Sequence, residues 1–94
     1  MESVLSSFNI RLKINSGAEI EYLITSLEKD LKIVFDVFFE NQKISNIGLD
    51  DQQCWTQRFG TLLPFEIEDI GFAIEQYYQN VFSNKDDQSI QPNN

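Results

Sequence analysis

Apolar and polar residues alternate one for one from Phe8 to Asn15, with Phe8, Ile10, Leu12 and Ile14 on one side and Asn9, Arg11, Lys13 and Asn15 on the other. That period predicts a strand with one buried and one wet face. The next segment, SGAEIEYLITSLEKD, fits two periods at once. Ser16 and Glu19 match a capping box and Ile20, Leu23, Ile24 and Leu27 fall at helical spacing, which predicts a helix over 17–29. Ser16-Gly17 can equally form a hairpin turn, and Ile20, Tyr22 and Ile24 also alternate, so a second strand over 19–26 is the competing expectation.

From Leu31 to Glu40 the alternation returns, with Leu31, Ile33, Phe35, Val37 and Phe39 on one face. The run KISNIGL follows and predicts a hairpin spanning residues 31–49. Val34 and Phe38 make the other face of this hairpin half apolar, which marks a possible surface for self-association as a homodimer. Trp55 and Phe59 are spaced for a short helical turn that Gly60 would end. Pro64 then suits the first turn of a long helix whose apolar stripe is Ile67, Ile70, Gly71, Ile74, Tyr77, Tyr78 and Val81. Residues 83–94 are polar and lack periodicity, and are expected to form a disordered tail.

These elements predict an α+β fold: a small, mainly antiparallel sheet with helices packed on one face, in the order β-α-β-β-α, or β-β-β-β-α if residues 19–26 are strand. Residues 1–82 are expected to form a single domain, since 94 residues support one modest core.

Composition narrows the chemistry more than it defines it. The chain has no histidine and a single cysteine, which removes the commonest general base and transition-metal ligand and leaves Cys54 without an activating partner. Cys54, beside Trp55, reads as a packed thiol. Gly17, Gly48, Gly60 and Gly71 form no phosphate-cradling loop, and Asp50-Asp51 lacks the spaced oxygens of a calcium loop. No catalytic residue, metal site or cofactor is predicted, and the chain is not expected to be an enzyme. No apolar run approaches the length of a membrane span, and a lone cysteine with no secretory leader points to a cytoplasmic setting.

A formal charge of −8 disfavours direct binding to nucleic acid or to an anionic membrane and favours a basic protein partner. Half of that excess lies on the long helix, as Glu66, Glu68, Asp69 and Glu75. Phe65 and Phe72 lie almost opposite its apolar stripe, among Glu68, Asp69, Glu75, Gln76 and Gln79. Aromatic anchors within a polar rim are the pattern of a protein interface, although Phe72 could instead be covered by the Trp55/Phe59 segment and Phe65, at the helix entry, could instead pack into the core. Phe65, Glu68, Asp69, Phe72, Glu75, Gln76 and Gln79 are therefore the candidate partner-binding residues.

Small size, acidity and the missing catalytic groups fit an immunity protein or antitoxin that occludes the basic active site of a nuclease-type toxin. An accessory or scaffold subunit, and a nucleic-acid mimic of the anti-restriction type, are the alternatives.

Overall fold

The computed structural model describes the backbone of residues 3–13 and 16–90 and the side chains of residues 4–13 and 16–81. Five strands precede one helix: β1 (Ser3–Lys13), β2 (Glu19–Lys29), β3 (Lys32–Phe39), β4 (Gln42–Leu49), β5 (Trp55–Gly60) and α1 (Pro64–Ile90). The strands pair in chain order as an antiparallel meander. Both predicted orders are thereby corrected, because the sheet has a fifth strand and only a single helix packs on it. Ile14 and Asn15 of the first predicted strand lie outside the described residues. So do the side chains of the predicted tail over 83–90 and the whole of 91–94, while the α1 backbone is carried to Ile90.

The helix expected over 17–29 is β2. Its Tyr22, Ile24 and Ser26 are buried on one face, in register with Ile10, Phe8 and Ser6 of β1. A helix would satisfy its own backbone but would leave β1 without a neighbour and β3 paired only with β4, and the sheet supplies both hydrogen bonds and burial. Two-residue turns close the hairpins on either side of β3, with positive φ at Asp30 and Leu31 and again at Glu40 and Asn41. This geometry matches strand twist but usually recruits Asn-Gly. Asp30-Leu31 carries no such signature, which hid the turn that ends β2.

The expected helical turn at Trp55–Phe59 is β5, paired with β4 from Leu49↔Trp55 to Ser45↔Gly60. Gly60 adopts φ +119°, and a Cβ there would lie 2.5 Å from the Ile44 carbonyl oxygen, so no other residue fits this edge. Gln57 secures the link to the helix. Its Oε1 accepts from Ser45 Oγ at 2.6 Å and from the Leu62 amide at 2.9 Å, while its Nε2 donates to the Leu62 carbonyl at 3.2 Å. Helix α1 then begins at Pro64, with Glu66 Oε1 accepting from the Leu63 amide at 2.8 Å in place of a missing intrahelical bond.

The α1 backbone comes nearest the sheet at β1 on one side and at β4 and β5 on the other, so the sheet curves around the helix. Tyr22, Ile24, Phe35 and Val37 of the central strands fill the wider gap and pack with Phe8, Ile10, Ile47, Ile70 and Ile74. Phe8 stacks on Tyr77 with ring centres 3.9 Å apart and meets the edge of Tyr78 at 5.6 Å. Burial in this core, with the charge of Glu66 adding to it, raises the Tyr22 hydroxyl above the ordinary tyrosine range.

The outer face of the sheet is mostly polar. Arg11 pairs with Glu21 at 3.6 Å, and Asp36 accepts from Asn46 Nδ2 at 2.8 Å and faces Lys43 at 3.7 Å. Val34, one of the two residues expected to make this face apolar, is buried over side-chain-free Gly48, and Phe38 is half-buried.

Candidate protein-binding face

Whether α1 is buried on two sides decides what its outward residues can do. Phe65 and Phe72 stand two helical turns apart and are 60% and 61% exposed, so neither belongs to the core. The Trp55 segment does fold back onto the helix, as one expectation for Phe72 required, but it lands one residue earlier. The indole lies against the backbone of Gly71, where a Cβ would meet Trp55 Cγ and Cδ2 at 2.5 Å. Trp55 Nε1 donates to Glu75 Oε2 at 2.7 Å, and Phe35 packs behind the ring at 5.6 Å. Phe72 is left beside the indole and open to solvent.

This placement gathers Glu68, Asp69, Phe72 and Glu75 around one shallow concavity of about 460 Å³, closed on its far side by Gln53, Cys54 and Trp55. Phe65 sits apart, over a small cleft with Leu12, Ile20 and Tyr22 in which Asp69 also takes part. Gln76 and Gln79 continue the same face beyond Phe72, with Gln76 Nε2 3.5 Å from Gln79 Oε1. Glu68 and Asp69 carry no ion pair among the described residues, whereas Lys32 and Lys43 are engaged with Asp51 and Asp36. The helix face therefore projects net negative charge, offset in part by Lys13, which lines the Phe65 cleft with Glu66 and Asp69.

The loop that carries Trp55 is ordered by Asp50. Its Oδ1 accepts from the amides of Cys54 and Gln52, each at 2.9 Å, and its backbone amide donates to the Cys54 carbonyl at 2.9 Å. These bonds, the Cys54 amide first, hold the Asp50 carboxyl below the ordinary carboxylate range against the opposing effect of desolvation. Cys54 itself is exposed, which corrects the expectation of a packed thiol. Its thiol makes only a long contact to the Gln52 carbonyl, at 3.8 Å.

Sequence reasoning missed a second, larger concavity. Between α1 and one end of the sheet lies an apolar groove of about 740 Å³ whose walls include Leu5, Ile33, Phe35, Leu49, Trp55 and Ile74. Glu75 and Gln79 line it as well, so the groove and the Phe72 concavity share Trp55 and Glu75 as a common wall. The alternation of β3 placed Ile33 and Phe35 on one face, but nothing in the sequence shows that α1 leaves that end of the face uncovered.

Among the described residues, no group of three or more His, Cys, Asp or Glu side chains could hold a metal, and no helix is long and apolar enough to cross a membrane. Comparison with protein-family models, with curated proteins and with solved structures returned no match.

Proposed function

We propose that this protein is a stoichiometric binder of a basic protein, acting through the outward face of α1, and that it serves as an immunity protein or antitoxin for a nuclease-type toxin. The observation that carries the reading is the exposure of Phe65 and Phe72 in line on the helix, beside Glu68 and Asp69, which carry no ion pair among the described residues. Two large rings in water are unfavourable for the isolated chain, and covering them releases free energy on association. The carboxylates around them select what does the covering. A nuclease must present cations where it grips phosphates, so a surface that is acidic at its rim and aromatic at its centre competes for that site. No bond need be made or broken; inhibition follows from occupying the space that the phosphates would take.

The test begins with the native partner, recovered by affinity capture from the cells that make the protein and then purified. Nuclease activity on DNA should fall to completion at equimolar protein. Phe72→Ala should weaken binding by roughly 2 kcal/mol or more, as loss of a central aromatic anchor does. Glu68→Lys should slow association, and the rate for the unaltered chain should fall with added salt, because the steering field is screened over about 10 Å at 0.1 M ionic strength. Binding that is indifferent to Phe65→Ala, Phe72→Ala and Glu68→Lys alike would overturn the proposal.

A further inference from the structure

We infer that the apolar groove at the open end of the sheet receives a basic amphipathic segment of the partner, two or three of whose apolar side chains enter the groove while its cations meet the acidic rim. This rests on the reading of the protein as a binder of a cationic protein and says which part of that partner is held. A space of about 740 Å³ is large for a chain of this size, in which interiors are otherwise close-packed. Its rim is apolar too: Leu5, Ile33 and Leu49 are 52%, 46% and 38% exposed. Leu5 is there because of a bulge. Val4 pairs with Leu27 and Ser6 with Ser26, so Leu5 is the extra residue of β1 that the ladder leaves over.

The polar groups deeper in the groove make no demand on an occupant, since Ser6 Oγ and Ser26 Oγ bond each other at 2.8 Å. The charges around it are mostly negative. Glu75 lines the groove, Glu28 pairs with Ile33 across β2 and β3 and so shares its face, and Asp50 and Asp51 border Ile33 and Leu49 at the mouth. Lys32, at the same mouth, is engaged with Asp51 at 3.7 Å. No Lys or Arg among the described residues lines the groove itself. An occupant with an apolar stripe and basic flanks matches this on both counts, as in helix-in-groove recognition. A segment also suits the extent of the surface better than a small molecule does, because the acidic concavity at Phe72 lies directly beside the groove, on the other side of the Trp55–Glu75 wall.

Trp55 is the only tryptophan in the chain and stands in the groove wall, so its emission reports occupancy directly. The probe is a synthetic amphipathic Leu/Lys peptide of about 14 residues, roughly four helical turns. A Leu/Glu peptide of the same pattern and a Lys/Ser peptide of the same charge are its controls. Saturable binding of the Leu/Lys peptide alone is expected. Leu5→Lys and Leu49→Lys should weaken it about tenfold or more by placing a cation on an apolar seat that must take a basic segment. Leu5→Ser, a milder change at the same exposed rim, should weaken it in the same direction, and thermal midpoints confirm that each variant is folded.

Equal binding of the Lys/Ser or Leu/Glu peptide, or full affinity in the folded Leu5 and Leu49 variants, would overturn the inference. So would saturation by dodecylamine with no binding of the Leu/Lys peptide, which would make the groove a small-amphiphile pocket. The two readings fail separately. Loss of the peptide result with retained Phe72-dependent binding of the native partner sinks only the groove. A native partner indifferent to the helix face, with the peptide result intact, sinks only the helix-face interface.

Discussion

Gly71→Ala tests the contact on which the whole candidate face depends. At an exposed position inside a helix this change stabilises a protein by about 1 kcal/mol, since alanine is the best helix former and glycine among the poorest. Here the added methyl would lie 2.5 to 2.6 Å from three atoms of the Trp55 ring, about an ångström inside ordinary contact. The indole is rigid, and Phe35 behind it and the 2.7 Å bond to Glu75 limit its retreat. Overpacking of this kind costs about 1 to 3 kcal/mol, so the net effect should be a loss of up to about 2 kcal/mol in place of the usual gain. For a domain of this size each kcal/mol lowers the thermal midpoint by roughly 4 to 8 °C.

A double-mutant cycle makes the prediction sharper, because it changes sign. In a Trp55→Ala background the obstruction is gone and Gly71→Ala should stabilise by about 0.5 to 1 kcal/mol, giving a coupling of about 1 to 3 kcal/mol between the two positions. Urea unfolding followed by far-UV circular dichroism measures all four corners without relying on tryptophan emission. Gly71→Ala raising the stability of the intact chain as much as that of the Trp55→Ala chain would refute the contact. It would also dissolve the wall shared by the two concavities.

Other predictions follow from the same geometry. Ile74→Ala, in the centre of the core, should cost about 2 to 5 kcal/mol, whereas Phe72→Ala should leave unfolding free energy within about 0.5 kcal/mol. Leu31 holds φ +66° while 92% exposed, so Leu31→Gly should relieve strain and stabilise by about 0.5 to 1 kcal/mol, read as a higher denaturant midpoint with an unchanged slope. The depressed Asp50 carboxyl contributes stability that is present above the ordinary carboxylate range and is lost as pH falls through its lower folded value. Stability of the unaltered chain relative to Asp50→Asn should therefore shrink as pH falls below about 4, and a constant difference would refute the role of the turn bonds. Gln57→Ala strips partners from buried Ser45 and from the Leu62 backbone and should cost about 1 to 3 kcal/mol by equilibrium unfolding.

What the sequence determined by itself is what depends on near neighbours along the chain. The helix from Pro64 and its stripe through Ile70 and Ile74 were legible because helical periodicity, an N-terminal proline and seven matching positions all agree within a few turns. The same projection placed Phe65 and Phe72 opposite that stripe, but it left open whether the helix is buried on that side as well, and only the tertiary structure shows both rings exposed. The strand character of β1 and the pairing of β3 with β4 were equally local, since strict alternation and a short connection specify them.

Tertiary structure decided everything that rests on partners distant in sequence. Residues 19–29 satisfy helical and strand periods together, and only the demand of β1 for a neighbour and of β3 for a second one selects the strand. Trp55 and Phe59 read as one helical turn until β4 offers an edge to pair with. Trp55 landing on Gly71, the bulge that leaves Leu5 over, and the gap between helix and sheet that becomes the groove have no local signature at all. Each is a matter of where curved surfaces meet, and close packing fixes that only once every strand is in register.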